Sequence, residues 1–442
     1  MYNSAYSTYN FEPTYVGSFF GLRPNVDILR RINMKLNLTP SQIKAKSAFE
    51  NFLKNNQTCI CLSGKPGTGK TFFIKEVLVP MVNTNPYITA TTNKAALLLK
   101  GNTIFNALGV RVTQSSDVSQ YRIDASKAKT IRNSLIIIDE ASMLDKSMLD
   151  VILNKCIKCK IIFVGDKNQL PAIKHPANVF DKYPVVELTD VVRQKKADLI
   201  QAIEETKDNI SKVVLELPKA SQNVHVIRSE DELKSVLSTF TPEDRILSYT
   251  NDACYTYAGM FRELLNMPKT IQPGDRVFSK SYCESPNANR STLFASEEAL
   301  VTSISEPHNV NIRGQLYKFL VRDVCLANKS YPFILPEDMK LYKTYLNGLL
   351  QKALKLKELG NDPRELSKTW GLYYFFRENM VDLRDFVACT VHESQGSTYN
   401  RVIIDFDDIV HGQGITINTK TRMLYVAMSR AKEEVFIYTR RH

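Results

Sequence analysis

Gly64-Lys65-Pro66-Gly67-Thr68-Gly69-Lys70-Thr71 has the spacing G-x-x-x-x-G-K-[ST] of a phosphate-binding loop. The apolar run Cys59-Ile60-Cys61-Leu62 before it predicts a buried β-strand, and apolar residues at helical spacing between Phe72 and Leu78 predict a helix after it. A strand, a glycine-rich turn and a helix direct backbone N–H groups at an anion. The stretch therefore predicts an α/β domain that binds a nucleoside triphosphate.

Each position of this loop has an expected task. We assign nucleotide contacts to Gly64, Gly67, Thr68 and Gly69, whose backbone surrounds the phosphates. Lys70 is expected to reach the β- and γ-phosphates, and Thr71 to offer its hydroxyl to Mg²⁺. The alternative is a glycine-rich turn that fits by chance, which the flanking strand and helix make a poor explanation.

Length, net charge and cysteine content limit the classes of protein to which the chain can belong. A chain of 442 residues is too long for one core, and about three domains are expected. The net charge of +12 favours a polyanionic partner. Of the eight cysteines, Cys156 and Cys159 form a C-x-x-C pair with no second pair nearby, so we expect reduced structural thiols in a cytosol-like compartment and not a zinc site. No apolar run approaches the ~18 residues of a membrane span, so no membrane partner is expected.

A second signal is a buried strand that ends in two carboxylates, Ser134-Leu135-Ile136-Ile137-Ile138-Asp139-Glu140. Asp139 is expected to hold Mg²⁺, and Glu140 to orient and deprotonate the attacking water. Another strand, Ile161 to Val164, ends in a polar loop in which Gln169 is placed to sense the γ-phosphate. Alternating strands and helices through residue 180 predict a doubly wound parallel sheet with its chemistry at the carboxyl edge.

Three further features of the first half have two interpretations each. Gln42 follows the cap Thr39-Pro40 of a predicted helix and is either a solvated residue or an amide that reads an adenine edge. Residues 111–123 predict a small hairpin, the alternative being an ordinary surface loop. The aromatic-rich leader, residues 1–35, is either a mobile arm or one docked on the body.

The second half predicts another α/β domain with an insertion. A strand at 245–249 and a helix at about 253–265 begin the domain, and strands at 402–406 and 434–438 complete it. Between them, 273–380 predicts short strands of a barrel-like, mostly β subdomain and a lysine-rich helix, Met339 to Leu359. The cluster around Trp370 is interpreted as core. Arg430 lies in an apolar helix and meets either a phosphate or a carboxylate of a neighbouring helix.

As an ordered set, five motifs resemble those of the superfamily 1 helicases. The set is most similar to the 5′-to-3′ branch that contains RecD and the phage Dda helicases, because the opposite branch usually carries an aromatic residue where this chain has Leu170. The motifs span nearly the whole chain. They are Gly64 to Thr71, Asp139-Glu140-Ala141-Ser142, Gly165-Asp166-x-x-Gln169-Leu170-Pro171, Val391-His392-x-Ser394-Gln395-Gly396-Ser397-Thr398 and Tyr425-Val426-Ala427-x-Ser429-Arg430.

The resemblance implies roles for individual residues. Gln42 resembles the glutamine that reads adenine, and Arg193 and Arg430 resemble the two arginines that approach the γ-phosphate from the second domain. Gly396 falls in the motif that couples nucleotide to DNA and is implied to contact the nucleotide. The residues implied to contact single-stranded DNA are Thr92, Asn93 (histidine in many similar chains), Thr103, Phe105 and His392. Residues 111–128 would contain the strand-separating pin.

The resemblance also implies an architecture and an activity. We expect two RecA-like doubly wound parallel-sheet domains, with the pin hairpin inserted in the first and a β-rich subdomain in the second. The expected boundaries are 1–35, 36–183, 184–272 with 381–442, and 273–380 for the insertion. The expected enzyme is an ATP- and Mg²⁺-dependent DNA helicase that moves 5′ to 3′.

Its expected partners are single-stranded DNA and duplex junctions, with a single-strand-binding protein or replisome components as further candidates. A cytosolic monomer is expected, in a bacterium or a phage-infected host. The rival functions are an ATPase that remodels protein–DNA complexes without unwinding, a subunit of a RecD-like nuclease complex, an RNA helicase, and an idle binding module.

Overall fold

The computed structural model describes residues 37–82, 84–114, 121–172, 175–192, 196–286, 291–312, 315–360 and 362–440. The leader, 1–35, and Arg193 lie outside the described residues. The chain divides into two compact units, one formed by Leu38–Ile271 with Asp385–His442 and the other centred on Gln272–Arg384. The first unit contains two parallel sheets, which define domain 1 and domain 2.

Domain 1 is built on a parallel sheet in the order β10-β1-β9-β7-β2-β3. Its strands, together with two short pairs outside this sheet, are β1 (Cys59–Gly64), β2 (Tyr87–Ala90), β3 (Asn102–Thr103), β4 (Arg111–Gln114), β5 (Tyr121–Asp124), β6 (Ile131–Arg132), β7 (Leu135–Asp139), β8 (Cys156–Ile157), β9 (Lys160–Gly165) and β10 (Val185–Leu188). Its helices are α1 (Pro40–Lys54), α2 (Lys70–Phe73), α3 (Asn93–Leu98), α4 (Ile104–Ala107), α5 (Lys146–Lys155) and α6 (Val179–Lys182). Helix α2 continues as a π-helical segment, Ile74–Leu78.

The central strands of this sheet are largely apolar because both faces of the sheet are covered. Ile60 and Leu62 of β1 join a cluster with helices α1 and α2, whereas Cys59 and Cys61 of the same strand join the cluster on the other face. Successive side chains of a strand point to opposite faces, so a strand buried on both sides is apolar at every position. The predicted doubly wound parallel sheet is confirmed.

Domain 2 is a parallel sheet in the order β11-β23-β22-β12-β21. Its strands are β11 (Val224–Ile227), β12 (Arg245–Ser248), β21 (Ala388–Thr390), β22 (Tyr399–Asp405) and β23 (Ala431–Tyr438). Its helices are α7 (Ala197–Lys212), α8 (Glu230–Leu237), α9 (Asn251–Leu264), α12 (Phe406–His411) and α13 (Ile417–Met428). The chain therefore leaves this domain after α9 and returns at β21, as the inserted subdomain requires.

The inserted unit combines an antiparallel sheet with two long helices. Its strands are β13 (Arg276–Ser279), β14 (Cys283–Glu284), β15 (Thr292–Leu293), β16 (Glu298–Ile304), β17 (His308–Ile312), β18 (Gln315–Leu326), β19 (Phe333–Pro336) and β20 (Leu383–Asp385). Its helices are α10 (Met339–Leu359), as predicted, and α11 (Pro363–Asn379), which the sequence analysis did not predict. In the cluster around Trp370, Tyr373 and Phe376 are buried, whereas Tyr374 is 41% exposed.

The hairpin predicted for residues 111–123 is present. β4 and β5 pair antiparallel, with Arg111 opposite Asp124 and Gln114 opposite Tyr121. Its tip, residues 115–120, lies outside the described residues. In the described ranges, the longest helices are too polar to cross a membrane.

Candidate nucleotide and nucleic-acid site

The phosphate loop connects β1 to α2, as the sequence predicts. Gly69 has φ +81°, and a Cβ added there would lie 2.9 Å from Nε2 of Gln42. At Gly64 a Cβ would lie 2.5 Å from Oγ1 of Thr68. Only glycine fits these positions without displacing the loop. Gly67 and Thr68 lie between them, and Thr71 is half-buried in the first turn of α2.

The ammonium of Lys70 lies within the loop. Its Nζ donates to the carbonyl oxygens of Gly64 at 2.6 Å and of Lys65 at 3.1 Å. Burial lowers the pKa of Lys70, and the negative charges of Asp166, Glu140 and Asp139 oppose that shift. The fold therefore brings the acidic residues to the lysine, and a polyphosphate would have to replace two carbonyl oxygens as the partner of Nζ.

The two adjacent carboxylates lie at the carboxyl end of β7. Burial and the neighbouring charge of Glu140 raise the pKa of Asp139 to about 7. Oδ1 of Asp139 accepts a hydrogen bond from the backbone N–H of Glu140 at 2.9 Å, and Glu140 has φ +53°, a conformation that non-glycine residues rarely adopt. Such backbone strain is concentrated at functional sites.

Domain 2 contributes a buried arginine, Arg430, that acts on the phosphate loop. Arg430 is 4% exposed, and its guanidinium donates to the backbone oxygens of Val426 at 3.1 Å and Ser397 at 3.4 Å and to Oγ of Ser429 at 3.0 Å. Its positive charge also contributes to lowering the pKa of Lys70, after burial as the main cause. Arg430 is therefore within electrostatic reach of the phosphate loop.

Gln169 lies buried where the two domains meet. Its Oε1 accepts a hydrogen bond from Nε2 of Gln395 at 3.5 Å, which joins it to the loop that also carries Gly396. Four buried polar atoms of the surrounding loops have no hydrogen-bond partner in the described part of the chain: Oε2 of Glu140, Oγ of Ser142, Oε1 of Gln395 and Oγ of Ser397. Buried polar groups are rarely left unsatisfied, so this group of atoms is suited to a polar ligand.

Gln42 is buried, and both polar atoms of its side chain make hydrogen bonds. It is 3% exposed, its Oε1 accepts from the backbone N–H of Thr39 at 3.1 Å, and its Nε2 donates to the carbonyl of Thr68 at 3.3 Å. The interpretation as a solvated helix residue is wrong. Recognition of adenine stays a prediction, and the structure adds that Gln42 braces the phosphate loop.

Of the residues assigned to the nucleic acid, four lie together on domain 1. Thr103 pairs with Ala90 at the carboxyl end of β2, and Thr92 and Thr103 cap α3 and α4. Asn93 is the first residue of α3, while Phe105 packs partly against the core of the domain. His392 lies on domain 2, half-buried in the turns after β21. Their contacts with a nucleic acid stay predictions.

Sequence reasoning missed several residues that connect these groups. Oγ1 of Thr91 donates to the backbone carbonyl of Glu140 at 2.8 Å, which connects the segment before α3 to the acidic pair. From α13, Tyr425 donates to Oδ2 of Asp166 at 2.7 Å, and Arg422 donates to the carbonyls of Lys167 at 2.9 Å and Gln169 at 3.1 Å. For Tyr425 the sequence offered two signals, its place in one of the five motifs and a polar group on the buried face of an apolar helix.

Comparison with known proteins agrees with this arrangement. Residues 37–229 match the AAA domain family and residues 385–438 the UvrD-like helicase C-terminal domain. The chain is 22% identical to the ATP-dependent DNA helicase dda of Enterobacteria phage T4, over 90% of this chain and 98% of that protein. It is 28% identical to the ATP-dependent DNA helicase Pif1 of Bdellovibrio bacteriovorus, over 32% of this chain and 34% of that protein.

Similarity to a solved structure supports the same fold. A Pif1 helicase, from a study of DNA unwinding at forked duplexes by two coordinating Pif1 helicases, superimposes with a TM-score of 0.51. The two chains are 17% identical, and the superposition covers 91% of this chain and 92% of that one.

Two RecA-like domains, a phosphate loop, and an acidic pair and a buried arginine that both act on the loop lysine are the features of an ATP-hydrolysing helicase. The chain is therefore an ATP-hydrolysing DNA helicase, and it is similar to the Dda, Pif1 and RecD helicases of superfamily 1.

Proposed function

We propose that this protein is an ATP-dependent DNA helicase that moves 5′ to 3′ on single-stranded DNA and unwinds duplexes. The observation that carries the proposal is that the charges of Asp139, Glu140 and Arg430 all act on Lys70 of the phosphate loop. Gln169 joins the two RecA-like domains through its hydrogen bond with Gln395. Enzymes of this class couple closure of such a site on ATP to movement along the strand.

Hydrolysis requires a polarised water and a neutralised phosphate. Glu140 is the proposed base, since its Oε2 is buried and has no hydrogen-bond partner among the described residues. Lys70, Arg430 and Arg193 are the proposed cations, with Arg193 outside the described residues. An arginine supplied to the transition state contributes about 10³–10⁵-fold in rate in related phosphoryl transfers.

The acidic pair fits a magnesium ion that arrives with the nucleotide. No cluster of three metal-ligating side chains occurs in the described ranges, which suits an ion held by one carboxylate, a hydroxyl, waters and phosphate oxygens. Asp139 and Thr71 are the residues that would hold it. When bound, the ion would neutralise charge on the phosphates.

Single-stranded DNA is the proposed substrate along which the protein moves. Thr92, Asn93, Thr103 and Phe105 on domain 1 and His392 on domain 2 would hold successive parts of the strand, and the net charge of +12 favours its phosphates. The hydrogen bond from Thr91, which precedes Thr92, to the backbone carbonyl of Glu140 would connect the proposed strand-binding segment to the residue that carries the proposed base. The Dda and Pif1 relatives, both ATP-dependent DNA helicases, support DNA as the substrate. The proposed 5′-to-3′ direction rests on the resemblance of the motifs.

The remaining assignments are parts of the same proposal. The β4–β5 hairpin would separate the strands at a duplex junction, and the protein would work as a monomer in the cytosol, with a single-strand-binding protein or replisome components as further partners. Similarity to phage and bacterial helicases supports that setting.

Strand displacement on a forked DNA with single-stranded tails on both strands tests the proposal. We expect displacement with ATP and Mg²⁺, none with a non-hydrolysable analogue, and none with Glu140→Gln. Hydrolysis stimulated by single-stranded DNA without displacement would favour the rival function of a remodelling ATPase.

A further inference from the structure

The second residue of the phosphate loop forms an ion pair with the other RecA-like domain. Nζ of Lys65 contacts Oε1 of Glu204, which lies in the middle of α7. The second carboxylate oxygen of Glu204 contacts Nζ of Lys207 at 2.6 Å. One carboxylate of domain 2 thus holds the loop lysine and a lysine of its own helix.

Glu204 is a charged group in this arrangement. Burial by itself would raise its pKa, but hydrogen bonds from Lys207 and Lys65 outweigh that effect and hold the pKa below its usual value. The side chains of Lys65 and Glu204 are 28% and 31% exposed, so solvent screens the pair only in part.

The pair is anchored on the phosphate loop through Lys65. The backbone carbonyl of Lys65 is the oxygen that accepts from Nζ of Lys70 at 3.1 Å and from Oγ1 of Thr68 at 2.9 Å. The charge of Glu204 also contributes to raising the pKa of Tyr425, whose hydroxyl donates to Asp166, although burial is the main cause. Glu204 is therefore a negative charge placed beside a loop that must accept a polyanion.

A carboxylate at this position would act on a bound nucleotide in two ways. It would repel the phosphates, and it would keep the ammonium of Lys65 from turning towards them. A triphosphate carries more negative charge than one carboxylate, so it competes for Lys65 when it enters the loop.

Building on the nucleotide site of the proposed function, we propose that Glu204 is a positioning residue that sets the affinity for ATP. Lys65 pairs with Glu204 when no nucleotide is bound, and it exchanges this partner for the polyphosphate when the nucleotide binds. Removal of the carboxylate charge should therefore tighten nucleotide binding, unlike the loss of most contacts at an active site.

The test is an equilibrium titration of the full-length protein with a fluorescent, non-hydrolysable ATP analogue and Mg²⁺. Glu204→Gln keeps the shape of the side chain and removes its charge, and it should bind about two- to fivefold tighter, the range expected for a partly exposed ion pair. The gain should shrink as salt is added. In steady-state hydrolysis, the KM for ATP should fall while kcat stays within about twofold, whereas a purely structural role would lower kcat.

Lys207→Met is the matched control, because it removes the other cation of the same carboxylate and leaves Lys65 paired. We expect it to bind the analogue as wild type does or more weakly. Lys65→Met should also bind the analogue more weakly. In this variant Glu204 still repels the phosphates, and the ammonium that would pair with them is gone. In the Lys65→Met background, Glu204→Gln should recover only the part of the gain that comes from repulsion.

Unchanged or weaker binding by Glu204→Gln, with tight wild-type binding, would overturn this inference alone. So would tighter binding by Lys65→Met. A wild-type protein that binds no nucleotide would overturn the proposed function and this inference with it.

Discussion

At the scale of single residues, the site depends on two carboxylates that are adjacent in sequence and different in environment. Asp139 accepts a hydrogen bond from the backbone of Glu140, whereas Oε2 of Glu140 is buried without a partner among the described residues. A carboxylate that is already hydrogen-bonded is suited to hold an ion through water. A carboxylate with an unsatisfied oxygen is suited to bind and deprotonate one. The two roles assigned from the sequence thus correspond to two different surroundings.

The roles of Lys70 and Glu140 can be separated by substitution. Lys70→Ala should abolish hydrolysis and weaken nucleotide binding, because it removes the only loop cation aimed inward at the carbonyls of Gly64 and Lys65 in the described structure. Glu140→Gln should bind ATP normally and lose about 10²-fold or more in kcat, since only the proton acceptor is gone. Nucleotide titration and ATPase assays on saturating single-stranded DNA measure the two effects. Hydrolysis by Glu140→Gln at the wild-type rate would show that another residue is the base.

The raised pKa of Asp139 gives a prediction about stability. Its pKa is about 7 in the folded protein, against 3.8 for an ordinary aspartate, so ionisation of Asp139 costs folding free energy once the pH exceeds the lower value. Asp139→Asn keeps the oxygen that accepts from Glu140 and removes this cost. In EDTA, we expect the variant to be more stable than wild type by on the order of 1 kcal/mol or more at pH 8, with a smaller gain at pH 5.

Unfolding by urea at the two pH values measures this difference. The sign follows from the shift: the gain grows as the pH rises from about 4 to about 7 and then levels off. An equal gain at pH 5 and pH 8 would mean that Asp139 does not titrate between them.

Substitution of Arg430 tests whether ATP hydrolysis needs the planar guanidinium or only its positive charge. Its guanidinium donates in several directions at once, to Val426, Ser397 and Ser429. Lysine keeps the charge but not the fork, so Arg430→Lys should lose nearly as much kcat as Arg430→Ala. Recovery of most of the ATPase activity in the lysine variant would identify Arg430 as a structural cation.

At the scale of elements, the sequence predicts what local pattern determines. Helix α10 was predicted with its observed ends because leucines and lysines recur at helical spacing between them. Helix α11 was missed because its run of aromatic residues, Trp370 to Phe376, hides the helical period. The contacts of Arg422 and Tyr425 join residues more than 250 positions apart, and spacing along the chain carries no information about them.

In the candidate site, too, the sequence predicts the local motifs and does not predict the contacts between distant segments. The phosphate loop and the acidic pair are local motifs, and the structure places them next to each other as expected. The bracing of the loop by Gln42 and its ion pair with Glu204 depend on how α1 and α7 pack, which only the folded chain determines.

The β4–β5 hairpin is the element that should distinguish unwinding from translocation. It contributes no group to the phosphate site among the described residues, so it should matter only where duplex meets single strand. Replacing residues 115–119 by a short glycine turn should leave DNA-stimulated ATPase within about twofold of wild type and reduce duplex unwinding at least tenfold. ATPase and strand displacement measured on one preparation decide the matter. Equal retention of both activities would make the hairpin an ordinary surface loop.

At the scale of the whole molecule, the two RecA-like domains belong to one compact unit and meet through several independent contacts. Helix α13 holds the loop of Gln169, the loop after β21 reaches the side chain of Gln169, and Val192 donates to the carbonyl of Gly67 at 2.9 Å. Nucleotide bound at the phosphate loop would therefore be sensed by both domains. Because the residues proposed to contact the DNA strand are divided between the same domains, a change in the separation of the domains would move the strand.

The direction of that movement is the central claim, and unwinding of tailed duplexes tests it most directly. Two duplexes of identical sequence, one with a 5′ single-stranded tail and one with a 3′ tail, are incubated with the protein, ATP and Mg²⁺ under single-turnover conditions. We predict displacement of the 5′-tailed substrate, with little or none of the 3′-tailed one. Preferential unwinding of the 3′-tailed duplex would contradict the account.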